Sequence, residues 1–134
     1  MLPLTLDTVR LSLHVLAATV WVGGQLTLAG LVPGLRALGD DVPRTIARRF
    51  HRIAWPAYAV LLATGIWNLL ELPVGDFDIE WQITLVVKIT VVALAGVSAA
   101  VHAGVRSTAL LAVFGTSSAL TSITAVVLGI MLHG

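Results

Sequence analysis

Lys88 is the one charged residue in an apolar run from Trp81 to Val105 that is long enough to cross a bilayer. An ionisable group at that depth costs about 2.5 to 3.5 kcal/mol on insertion scales, so it faces protein or water and marks a working site. The other side chains with chemistry to offer are the four histidines, His14, His51, His102 and His133. Cysteine is absent, which excludes disulfides, thiolate metal sites and iron–sulfur clusters. Soft thioether ligands come only from Met1 and Met131. The chain has no phosphate-binding loop, nucleophile triad, carboxylate pair or nucleic-acid patch, so nucleic acid is not expected as a partner.

The elements that position these groups follow from hydropathy. In 134 residues, 57% are hydrophobic and 11% charged, with a mean hydropathy of +0.97. That is more apolar surface than one small soluble core can bury, so lipid is part of the solvent. Four apolar runs predict helices over about 11–32, 51–70, 82–105 and 108–132, each near the ~17 to 25 residues that cross ~30 Å of hydrocarbon. Pro33, Gly34 and Arg36 are expected to close the first. The expected fold is all-α, an integral membrane four-helix up-down bundle forming a single domain over 1–134. The start, Met1 to Thr8, has no basic region, so the first run is expected to stay in the mature chain as a helix and not as a cleaved signal.

Charge sets the orientation. The first connection holds Arg36, Arg44, Arg48, Arg49 and Arg52, the third holds Arg106, and the second holds Glu71, Asp76, Asp78 and Glu80. Basic connections stay in the cytoplasm, so both termini and the acidic connection are expected outside. At ~1.5 Å per residue, His14, Lys88, Thr64, Asn68 and Thr124 fall roughly 4 to 11 Å outward of the midplane, in one layer. His51 and His102 fall about 14 to 16 Å inward. His14, Ala18, Trp21 and Gln25 share one face of the first helix, expected to point inward. Ala95, Ala99 and Ala103, and the hydroxyl-rich run from Thr116 to Thr124, are expected to serve helix packing.

The ordered set of His14, Trp21-Val22-Gly23-Gly24, the Arg-rich connection, Ala63-Thr64-Gly65, and Trp81 with Lys88 resembles the copper-resistance D-type membrane domain. The same skeleton, over about residues 11 to 103, is distantly similar to the haem-containing HemJ-type protoporphyrinogen oxidases. It departs from them after Trp21, where Gln25-Leu26-Thr27-Leu28-Ala29-Gly30 replaces an aromatic and basic Pro-Arg segment. The resemblance implies a membrane protein that handles haem or copper, with His14 and Lys88 as the shared pair.

Copper(I) prefers soft ligands, whereas imidazole suits haem iron and copper(II) alike. Haem b is therefore the expected cofactor, with copper as the alternative. In the outer layer His14 is the expected first axial ligand, with Lys88, another residue or water opposite, Lys88 as the catalytic candidate, Trp21 packing on the macrocycle and Thr64 or Asn68 hydrogen-bonding. In the inner layer His51 and His102 form the alternative ligand pair, with Arg52 and its neighbours on the propionates. Each has a structural alternative: Lys88 snorkelling to Glu80 or Asp78, and His51, His102 and His133 as interfacial residues. Trp67 and Trp81 fit an interfacial belt, whereas Trp21 near the midplane has no interface to anchor.

Two functions follow. One is a haem-dependent membrane redox protein or oxidoreductase, working with a redox partner or quinone. The other is a copper permease in which His14, Lys88 and hydroxyls line a path. The expected setting is the lipid bilayer of a prokaryotic plasma membrane, and four helices of this size leave room for a homodimer.

Overall fold

A computed structural model describes residues 3–134. It contains helices α1 (Leu6–Leu38), α2 (Val42–Glu71), α3 (Ile79–Gly104) and α4 (Thr108–Met131), and no strand among the described residues. All four are long and apolar enough to cross a membrane. The chain is an all-α integral membrane protein, as its hydropathy predicts. It divides into two compact units, Met1–Leu72 and Pro73–Gly134, each built on one helical hairpin, α1 with α2 and α3 with α4.

The helix ends differ from expectation most at α1. Thr5 caps it, its hydroxyl accepting from Thr8 N at 3.2 Å, and Asp7 favours the positive end of the helix. The helix then passes through Pro33, which was expected to close it, and runs on to Leu38. Proline already holds a helical φ, so its cost is one missing donor and a crowded carbonyl, which membrane helices tolerate. The stop comes at Gly39, whose φ of 148° suits glycine alone. Only residues 39–41 separate α1 from α2, and Pro43 starts the new helix. The arginines therefore ride on helices: Arg36 on α1, and Arg44, Arg48, Arg49 and Arg52 on α2.

Within α1, Thr19–Gly23 forms a π-helical turn. Such a turn widens the bond ladder. Hydroxyl donors flank it: Thr19 Oγ1 donates to Val15 O at 2.8 Å and Thr27 Oγ1 to Gly23 O at 2.7 Å. Trp21, in this turn, is buried with Ala17, Ala54 and Tyr58. Its ring lies 4.4 Å from Tyr58 and meets Trp55 edge-on at 5.5 Å. Gly24 allows α2 to come close, because a Cβ there would overlap Phe50 Cε2 and stand 2.7 Å from Cζ.

In the second unit Asp78 caps α3, accepting from Trp81 N at 2.7 Å. The α3/α4 seam repeats in seven-residue steps: Lys88, Ala95 and His102 run antiparallel to Gly129, Ser122 and Gly115. Ala95, Gly96, Ser98, Ser118 and Ser122 are buried along it, and Ser118 Oγ donates to Ala95 O at 3.2 Å. Small residues let the two backbones approach without a hydrophobic drive, as helix pairs in lipid require. The expected stripe of Ala95, Ala99 and Ala103 is thus only partly used, and Ala103 is exposed. Leu16, Ile53, Ile66, Ile83, Val97 and Ile130 are all more than half exposed, surfaces suited to acyl chains.

Candidate functional site

The inward face of α1 carries Arg10, His14, Ala17 and Trp21 at helical spacing. Arg10, Ala17 and Trp21 are buried, and His14 is half-buried. His14 Nδ1 stands 2.8 Å from Thr64 Oγ1 on α2. The single hydroxyl proton of Thr64 is used in back-bonds to Val60 O at 2.7 Å and Leu61 O at 3.2 Å. The oxygen must then accept from the imidazole, which puts a ring proton on Nδ1; in the neutral ring the lone pair is then on Nε2. That is the tautomer and the orienting bond found behind metal-ligating histidines. Gly65 lets the ring lie against α2, with its Cε1 3.6 Å from where a Cβ would stand.

Arg10, which precedes the first apolar run and was not among the expected site residues, is only 8% exposed. Its Nη2 reaches Asp7 Oδ1 at 3.0 Å, and its guanidinium lies 5.8 Å from the Trp67 ring centre. The Nε of Arg10 and the Oδ1 of Asn68 are buried and without a partner among the described residues. Each such atom costs about 1–3 kcal/mol in lost hydration. A sequence signal for Arg10 existed: it lies four residues before His14, on the same face.

Lys88 is half-buried, and its Nζ is 3.2 Å from the point a Cβ on Gly129 would occupy. No ion pair joins it to Glu80 or Asp78 among the described residues, where Arg10 with Asp7 is the salt bridge found. The snorkelling contact is therefore not formed. His102 packs the same way on Gly115, with Cε1 2.9 Å from that glycine's absent Cβ, and its Nδ1 donates to Leu111 O at 2.8 Å. Two polar side chains of α3 thus sit in glycine sockets of α4.

The other predicted residues scatter. His51 is half-buried beside Phe50, their ring centres 6.3 Å apart, and Arg52 is exposed. Thr124 is exposed and bonds back to Leu120 O at 2.8 Å. Trp81 Nε1 donates to Leu132 O at 3.2 Å. Among the described residues no three His, Cys, Asp or Glu side chains gather into a metal-holding group.

The model of the family described as copper resistance protein D matches residues 44–133, well over half of the chain. The chain belongs to the copper resistance protein D family. The match takes in α2, α3 and α4, so Thr64, Lys88, His51 and His102 fall within it, while α1 with His14 and Trp21 lies before it. The resemblance expected over residues 11 to 103 is therefore displaced toward the C-terminus, and α4 contributes to it. No curated protein and no solved structure matches the chain. Membership in the copper resistance protein D family favours copper over the expected haem b. Trp21, the expected platform for a macrocycle, is 3% exposed and packed among Tyr58 and Trp55.

Proposed function

We propose that this chain passes copper across a prokaryotic plasma membrane, with His14 Nε2 as a transient ligand. The observation that carries the reading is the 2.8 Å bond from His14 Nδ1 to Thr64, which aims an imidazole lone pair from within a membrane-length helix. Imidazole without thiolate suits copper(II). A path must hold its ion weakly enough to release it, and a single imidazole ligand meets that need. Lys88 lies on α3 in the second unit and is assigned no ligand role. Orientation by the arginines puts the His14 end of α1 on the non-cytoplasmic side.

Haem b, implied by the likeness to the oxidases, is set aside because the residue assigned to stack on it belongs to the core of the first unit. The test is copper flux into proteoliposomes that enclose a copper-sensitive dye. Flux with the unaltered chain and loss with His14→Ala supports the reading. Flux no faster than in protein-free vesicles overturns it, as does a purified protein with a Soret band that His14→Ala abolishes.

A further inference from the structure

We infer that the ammonium of Lys88 docks the phosphodiester of a membrane phospholipid at the outer end of the second unit. The inference is independent of the copper reading and lies wholly within the α3/α4 hairpin. Counted along α3 from Ile79, Lys88 sits about 14 Å below the helix start. Side chains lean toward the start of their helix, and the acidic connection puts the start of α3 outside. Lys88 Nζ accordingly reaches the glycine socket at Gly129, just before α4 ends at Met131. The 24 residues of α4 span about 36 Å, which exceeds ~30 Å of hydrocarbon by about 3 Å at each end. The ammonium thus emerges where acyl chains give way to headgroups. Trp81, two turns before Lys88 on the same face, marks that level. It stacks on Phe77 at 4.0 Å and donates to Leu132 O at 3.2 Å, as suits an interfacial aromatic.

An ammonium carries three donors and no acceptor. Among the described residues that of Lys88 forms no hydrogen bond or ion pair, nor is it one of the atoms sealed from the surface without a partner. It is therefore open to a group outside the hairpin, and hydrocarbon cannot serve it. The anion that a bilayer supplies at this depth is the lipid phosphodiester, which accepts charge-assisted bonds from lysine. The flanks suit the rest of such a molecule: Val86, Val87 and Ile130 are 62%, 43% and 68% exposed, apolar walls for acyl chains. Gly129 keeps the socket open, because a Cβ there would stand 3.2 Å from Nζ and 3.5 Å from Cε.

Lys88 is the single lysine of the chain, so protein made with lysine isotope-labelled at Nζ gives one ammonium signal and needs no substitution. The unaltered chain is reconstituted in phosphatidylglycerol vesicles in phosphate-free buffer and frozen. Solid-state NMR then records the nitrogen signal with and without dephasing by phosphorus. Loss of most of the signal under dephasing supports the inference, because the lipid supplies the only phosphorus present. A signal that phosphorus leaves undiminished overturns it. Dephasing that appears only after inorganic phosphate is added also overturns it, by giving the socket to a free anion.

Discussion

Thr64→Val keeps the branched shape of the side chain and deletes the acceptor 2.8 Å from His14 Nδ1. The carbonyls of Val60 and Leu61 keep their helical donors, so the loss falls on the imidazole. Hydrogen bonds between membrane helices average about 0.6 kcal/mol and reach about 1.7. Unfolding in mixed micelles should therefore show a loss of about 0.5 to 2 kcal/mol. The effect on metal should be larger, because removing the group that orients a ligating histidine costs about 10- to 100-fold in affinity. That is about 1.4 to 2.7 kcal/mol. Copper titration of the purified protein, alongside vesicle flux, reads it directly. Thr64→Ser restores the hydroxyl and should bind as the unaltered chain does. If Thr64→Val and Thr64→Ser bind copper equally well, Thr64 does not set the imidazole's tautomer and the reasoning fails.

The glycine sockets of the second unit should respond unequally. Gly115→Ala puts a Cβ 2.9 Å from an imidazole held by Leu111 O and should cost about 1–3 kcal/mol in unfolding measurements. Gly129→Ala meets the mobile tip of Lys88 at 3.2 Å and should cost less; the reverse order would show that His102 is the freer group. Gly24→Ala, which drives a Cβ into the Phe50 ring, should also lose about 1–3 kcal/mol in the same assay. Lys88→Met removes a charge that insertion scales penalise by about 2.5 to 3.5 kcal/mol, so its unfolding stability should hold or rise. A clear loss would reveal a structural partner for the ammonium. Impermeant labelling should reach Gly75→Cys from outside and Asp40→Cys only from the cytoplasmic face; the opposite pattern inverts the topology.

Four apolar runs were enough to read four spans, because in lipid length and polarity leave the backbone few options. The helix ends were less legible. Pro33 reads as a stop in water, but α1 continues past it, and the true stop is the unusual backbone of Gly39. Arg10 was hidden for a related reason: charge at the edge of an apolar run reads as a boundary, while its burial depends on a partner helix that hydropathy does not reveal. The His14–Thr64 bond joins residues 50 apart, and only the antiparallel register of α1 and α2 makes them neighbours. In α3 the alanines at four-residue intervals masked a seven-residue step through Lys88, Ala95 and His102, which becomes visible once Gly129, Ser122 and Gly115 are set against it.

The length of α2 has a consequence for how the first unit meets its surroundings. Its 30 residues make a rod of about 45 Å, against hydrocarbon of ~30 Å. About ten residues must therefore project, and the turn at residues 39–41 is too short to fold them back. The projecting stretch includes Arg44, Arg48 and Arg49, with Arg52 just inside it, a stiff cationic post standing among headgroups. Anionic leaflets would grip that post at about 1 kcal/mol per arginine near the surface, so the tilt and depth of the whole hairpin become a readout of lipid composition.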